Sequence, residues 1–447
     1  MSSILEKKPF ADLDSIYRAA LERVDPDVMI RSCFSYDGRT LTVSTEEKRE
    51  TLDLDEFSEV VVVGFGKASA RMARAVEDVL GERIPGGVVA VKYGHTEELS
   101  RIELLEAGHP VPDEASIRAG EALLRRAEAA TGDTLVITLI SGGGSAILSA
   151  PATGISLAEQ QEATKLLLAS GATIGEINTL RKHTSRVKGG RLAAAFAPAR
   201  SLNLILSDVV GDPLEVIASG PTVPDPTTAA DARGIVERYG LRDRLAGSVL
   251  RHLAEGPETP KPGDAVFDAA VNIIIGSNHL GLLAAKGAAE DLGYHTAVVT
   301  SRLEGEARDV AGLILNIARD SRERGLLVEP PGCILLGGET TVTIRGTGRG
   351  GRNQEMALAA LAEMRPEDAG IYLLFGASDG NDGPTDAAGG YASWELAEAA
   401  QGRGLDMADA LTRNDAYPFL KKLGAHVMTG PTNTNVADFA IALVVAE

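Results

Sequence analysis

A chain of 447 residues is long enough for two or three domains and for a sizeable core without disulfides or structural metals. Its 63 acidic residues against 44 Lys and Arg give a net charge of −19, which argues against nucleic acid or an anionic membrane as a general partner. A local cationic pocket inside an acidic shell stays compatible with that balance. Cys33 and Cys333 have no metal-ligand spacing, so neither a disulfide framework nor a zinc site is expected. The amino-terminal residues carry charges where a signal peptide needs an apolar core, and no run approaches about 18 apolar residues. A soluble protein of the reducing cytoplasm is the expectation.

Leu13, Ile16, Tyr17, Ala20, Leu21 and Val24 recur at helical spacing and predict an amphipathic helix over 12–23. One unit then repeats: a short β-branched run, a glycine-bearing turn, and an alanine-rich helix. It occurs at 60–63 before GFGKAS, at 135–140 before SGGGSA, and at 202–206 before SDVVGD. Further copies are 271–275 before GSN and a helix at 279–291, 334–336 before GGET, and 371–375 before GASDGNDGPTD. Strands alternating with helices predict the α/β class, with parallel sheets covered on both faces. EGPETPKPG at 255–263 reads as a linker, which divides the chain into domains 1–255 and 256–447.

The glycine clusters fall at predicted strand ends, where open α/β sheets bind their ligands. In GFGKAS, Gly64 and Gly66 let backbone approach a ligand, and Lys67 stands on the first turn of a helix. A cation there adds to the helix field and is favourable only when an anion arrives. The motif is no dinucleotide fingerprint, because Ser69 occupies the third glycine position. Ser141, Gly142, Gly143, Gly144 and Ser145 predict an anion-binding nest after the next strand. RKHTSRVKGGR at 181–191 has no interleaved acid, so Arg181, Lys188 and Arg191 are anion-binding candidates. Arg345, Arg349 and Arg352 sit among glycines before the Asn353–Gln354–Glu355 helix start, as forks for phosphate or carboxylate. Asp379 in SDGNDGPTD is the candidate Mg²⁺ ligand, while Asp382 and Asp386 suit Asx turns and caps. Asp208 is a further carboxylate at a strand end, and His109 in GHPVPDEAS reads as a turn residue.

Together, GFGKAS, GHPVPDEAS, SGGGSA, INTLRKHTSRVKGGRLA, LSDVVGDPLEVIASGPT, LLGGETTVTIRGTGRGGRNQE, ASDGNDGPTDAAGG and GPTNTNV resemble the glycerate 2-kinase family. They run in order from 64 to 436, nearly the whole chain. The resemblance implies an N-terminal Rossmann-like domain, a smaller C-terminal leucine-rich MOFRL domain with a mixed sheet, and an active site in the cleft between them. It implies ATP-dependent phosphorylation of D-glycerate on the 2-hydroxyl, with ATP and Mg²⁺ as cofactors. The partners it implies are small molecules, with no nucleic acid and no membrane. A monomer and a homodimer are both compatible with it. Lys67, Asp208 and Arg352 are then the expected catalytic residues, with Asp379 on the metal. Gly64, Gly66, the SGGGS loop, Arg181, Lys188, Arg191, Glu339, Arg349 and Asn353 are expected to contact substrate or nucleotide. Members of the family have also been labelled hydroxypyruvate reductases, so a nicotinamide-dependent reductase is the alternative.

Overall fold

In the computed structural model, which describes residues 2–46 and 48–445, each β-branched run becomes a strand and each glycine cluster the turn behind it. The chain divides into two units, one of residues 26–275 and one that joins 1–25 to 276–447. In the first unit, β1 (Phe34–Tyr36), β2 (Thr40–Ser44) and β3 (Arg49–Asp53) form a small antiparallel sheet. A six-stranded sheet follows, from β4 (Glu59–Phe65), β5 (Gly86–Lys92), β6 (Ile102–Ala107), β7 (Thr134–Ile140), β8 (Arg200–Leu206) and β9 (Ala270–Gly276). Its order is β6-β5-β4-β7-β8-β9, with parallel pairing from β6 across to β8. Every residue of β7 is buried, which is why these strands read as continuous apolar runs and not as alternating ones.

That order fixes where a ligand belongs. The chain leaves β4 towards β5 and β6, then returns to the other side of β4 for β7 and β8. The connections after β4 and β7 therefore diverge, and a crevice opens beyond their carboxyl ends. The core on one side of the sheet joins Val61, Val63, Phe65, Leu123, Ile140 and Phe196. A separate helical core, with Leu166, Leu167, Ile177, Leu180, Ile235 and Val249, is built by helices Leu157–Ala169, Ile174–His183, Ala229–Arg238 and Gly247–Glu255. Three of these four helices begin with reciprocal capping boxes, Ser156 with Glu159, Thr173 with Glu176 and Thr228 with Asp231.

The second unit carries β10 (His295–Leu303), β11 (Gly332–Gly338), β12 (Ile371–Ala377), β13 (Gly389–Ser393), β14 (His426–Val427) and β15 (Asp438–Val444). Their order is β10-β11-β15-β12-β13-β14, and only β10 with β11 pairs in parallel. The sheet is mixed because the last strand of the chain inserts antiparallel between β11 and β12.

The division differs from the one expected at 255/256. The opening helix, Lys8–Arg23, packs in the second unit: Tyr17 Oη donates to Ala377 O at 2.6 Å, and Phe10 meets Tyr372 and Tyr391 edge to face. The proline-rich stretch is pinned and does not act as a linker. Thr259 Oγ1 donates to Asp225 Oδ2 at 3.0 Å, and Asp225 N donates to Pro260 O at 3.0 Å. Beyond it, β9 joins the first sheet beside β8. No helix among the described residues is long and apolar enough to cross a membrane.

Candidate functional site

The turns after β4 and β7 lock together at the crevice. Ser141 N donates to Phe65 O, Lys67 N donates to Gly142 O at 2.9 Å, and Ala68 N donates to Ser141 Oγ at 3.0 Å. Ser69 Oγ donates to Leu139 O and lies 3.1 Å from Ser141 Oγ. The glycines are steric necessities of this lock. A Cβ on Gly66, which holds φ at +127°, would fall 2.3 Å from Ser141 Oγ, and one on Gly64 would fall 3.0 Å from Leu139.

Two expectations change here. The N–H groups of Lys67 and Ala68 face Ser141 and Gly142, so Gly64, Gly66 and Ser141 serve loop packing where anion contact was expected. Among the described residues the Lys67 ammonium has no carboxylate partner and no acceptor. A Cβ on Gly143, φ +81°, would lie 2.9 Å from His109 Cδ2 and 3.3 Å from Lys67 Cε, so loop, imidazole and ammonium converge. A Cβ on Gly142 would lie 2.2 Å from Asp208 Oδ2, which brings the carboxylate after β8 to the same loop. Gly144 packs on Phe65 and Ala218.

The local field is cationic. Burial, with Lys67, Lys92 and His95 adding to it, pushes His109 down to about 4, so its ring is neutral at pH 7. His95 is lowered by burial and by Lys92 and Lys67. Sequence reading missed His109 as a site residue, because a histidine before proline gives no sign of a distant glycine loop.

The 181–191 segment divides by role. Lys182 pairs with buried Asp225 at 3.2 Å, His183 Nε2 lies 2.8 Å from Glu258 Oε1, and Arg186 reaches Glu121 at 2.6 Å. Arg191 donates to Pro257 O at 2.6 Å, a structural contact where anion binding was expected. Arg181 and Lys188 remain. Arg181 has no acceptor among the described residues, and burial lowers its pKa. Lys188 is buried, donates to Leu148 O at 2.8 Å, and is pushed down to about 7 by burial and then by Arg181. Both line a cavity of about 870 Å³ together with His109, Gly143 and Ser145. Behind it, Ser145 Oγ lies 2.9 Å from Ser219 Oγ, which reaches Asn178 Oδ1. Ser219 and Ala218 hold φ of +64° and +50°, a strained turn that no sequence pattern marks.

In the second unit the expected residues are held by one another. Arg352 donates to both carboxylate oxygens of buried Asp438 and to Glu339 Oε1 at 2.7 Å, so any substrate oxygen it met would share it with two acids. Burial raises Asp438 to about 6, against the opposing pull of Arg352. Asn353 is buried, and its N–H donates to Asp382 Oδ1, which also accepts from the Asn353 amide; Gln354 N donates to Asp382 Oδ2 at 2.8 Å. Asp382 therefore anchors the start of helix Arg352–Glu363. Arg349 stacks on Tyr417, 4.6 Å from the ring centre. The Asx turn falls on Asp379, whose Oδ1 accepts from Asn381 N at 3.0 Å, and Asp386 accepts from Tyr417 Oη. Among the described residues no three His, Cys, Asp or Glu side chains converge as ligands of a metal ion.

The family described as Domain of unknown function (DUF4147) matches residues 12–254, and the MOFRL family matches residues 332–438. The chain is 44% identical over 391 residues to a glycerate 2-kinase of Pyrococcus horikoshii, covering 87% of this chain and 88% of that one. A relative from Agrobacterium vitis, provisionally named a hydroxypyruvate reductase, is 43% identical over 386 residues, covering 86% of this chain and 87% of its own. The crystal structure of a glycerate kinase from Thermotoga maritima matches with a TM-score of 0.86 at 39% identity, covering 96% of this chain and 98% of that one.

Proposed function

Because the chain belongs to the glycerate kinase family, with both its DUF4147 and MOFRL segments, we propose that it transfers the γ-phosphoryl group of ATP to the 2-hydroxyl of D-glycerate. The observation that carries this reading is the Lys67 ammonium, without an acceptor among the described residues and set against Gly143 and a neutral His109 at the crevice. Phosphoryl transfer needs positioning and charge neutralisation more than covalent chemistry, and such a cation gains a partner only when the substrate anion arrives.

In the reaction, the glycerate hydroxyl oxygen attacks the γ-phosphorus. The bond from that phosphorus to the bridging oxygen breaks, and ADP leaves. The hydroxyl proton passes to the carboxylate of Asp208, which stands against the same loop. Lys67 neutralises the oxygens of the group in transit. Mg²⁺ enters with ATP as part of the substrate, and Asp379 offers a hard carboxylate of the kind that ion takes. Unchanged Mg²⁺ dependence in Asp379→Asn would remove Asp379 from that role.

The reductase reading has the Agrobacterium vitis name behind it, but the site chemistry favours it less. A dinucleotide's pyrophosphate needs the free N–H groups at the helix start after β4, and here Lys67 N and Ala68 N already donate within the chain. The acid expected on the ribose is also replaced, because β5 ends at Lys92. ADP release that depends on D-glycerate, with no absorbance change at 340 nm on hydroxypyruvate, is the expected assay result. The opposite pair of results would exchange the two readings.

A further inference from the structure

The cavity beside Lys67 is far larger than a three-carbon acid requires. At about 870 Å³ it lies in the range of pockets that bury nucleotides and drug-sized ligands. Its ends differ in character. One end is His109 and Gly143, the residues that meet Lys67. The other holds Val111 and Leu168, each 61% exposed, an apolar wall that water covers poorly when nothing else does. Between them stand Arg181 and Lys188.

The charges on this middle stretch select the ligand. Arg181 has no carboxylate partner among the described residues, and Lys188 donates only to the Leu148 carbonyl. Burial deprives both of water, and Arg181 further disfavours the Lys188 ammonium. A monocarboxylate would offset one such charge. A polyphosphate chain offsets both and reaches on towards Lys67, and its nucleoside supplies a flat apolar face for Val111 and Leu168.

We propose that this cavity is the nucleotide site: a nucleoside di- or triphosphate lies with its base against Val111 and Leu168, its α- and β-phosphates on Arg181 and Lys188, and its terminal phosphate at Gly143 and Lys67. Glycerate is thereby assigned to the Asp208 side of the loop. The assignment rests on the kinase reading and adds to it which cationic group serves which substrate.

Thr164, on helix Leu157–Ala169, lines the cavity and is half-buried, so Thr164→Trp sets a bulky ring into that space. Titration calorimetry with ADP is expected to show at least about a tenfold weaker Kd for Thr164→Trp and for Lys188→Met. The KM for ATP is expected to rise in parallel, with the KM for D-glycerate within about twofold of the parent. Unchanged nucleotide constants in Thr164→Trp, or a rise confined to glycerate, would overturn the assignment. A parent enzyme that binds ADP here yet transfers no phosphoryl group would instead overturn the kinase reading and leave the nucleotide site standing.

Discussion

The turn regions after β4 and β7 and the loop before helix Arg352–Glu363 look alike in sequence, with glycines beside cations at strand ends, yet the structure gives them opposite electrostatics. Around Lys67 the cations outnumber their acids: among the described residues the ammonium has no partner, and burial, with Lys67 and Lys92 adding to it, pushes His109 towards neutrality. Around Arg352 the charge is closed, with Asp438 on one edge of the guanidinium and Glu339 on the other. A cation beside glycine is thus evidence of a site only when its counter-charge is missing from the fold. That is a property of tertiary structure and not of the motif.

The largest effect expected from this contrast is on stability. Arg352→Ala leaves the Asp438 carboxylate buried without its partner and is expected to cost about 3 kcal/mol, the low end for such pairs because part of Arg352 is exposed. The penalty falls on ionised Asp438. Its folded pKa in the parent is already raised to about 6, and loss of Arg352 raises it further, so the deficit against the parent is expected to be small below about pH 6 and to grow as pH rises above it until the variant's own pKa is passed. Urea titrations at pH 8 and pH 5 check this. Equal deficits at both would show that the pair is not what Arg352 supports.

Lys67→Ala should behave in the opposite way. Turnover is expected to fall by about 100-fold or more, with a melting temperature close to the parent's, because the ammonium bonds to nothing among the described residues. A large loss of melting temperature would erase the distinction between the two regions.

Lys188→Met sharpens the comparison in a third way. The folded protein holds this amine near 7 while the unfolded chain keeps the ordinary lysine value. The unfolded state therefore binds more protons between about 7 and the ordinary value, and the group subtracts stability as pH falls through that window. Removing it is expected to raise the melting temperature at pH 7.5 while weakening nucleotide binding. A lower melting temperature would mean that the bond to Leu148 O outweighs the cost of burial.

The smallest effect is expected at Ser141→Ala, which removes the acceptor for Ala68 N and costs about 1 kcal/mol, with turnover little changed. A loss as large as that of Lys67→Ala would return Ser141 to the chemistry.

Much of this architecture was legible in advance because buried parallel strands are written as continuous apolar runs, as at 135–140, with glycine where the next helix must turn away. The strand order was not, because β5 and β6 enter it as GGVVAVK and IELLEA, whose neighbours only the fold reveals. Lys67 and the SGGGS loop were legible as candidates, but the bonding of the Lys67 and Ala68 N–H groups to that loop was not. Arg352 was legible as a cation among glycines, but its ion pair was not, since its partner, Asp438, lies 86 residues away. Within the acidic loop, the capping expected of Asp382 takes the form of a helix start 28 residues earlier in the chain, while the Asx turn falls on Asp379, which no local pattern assigned.

The central claim is that the partnerless cation region carries phosphoryl transfer, and phosphorus NMR of the protein with Mg·ATP and D-glycerate tests it most directly. The account predicts ADP and the phosphomonoester resonance of 2-phosphoglycerate, forming at least about 100-fold more slowly with Lys67→Ala. Intact ATP in the parent reaction, or product from Lys67→Ala at the parent's rate, would contradict it.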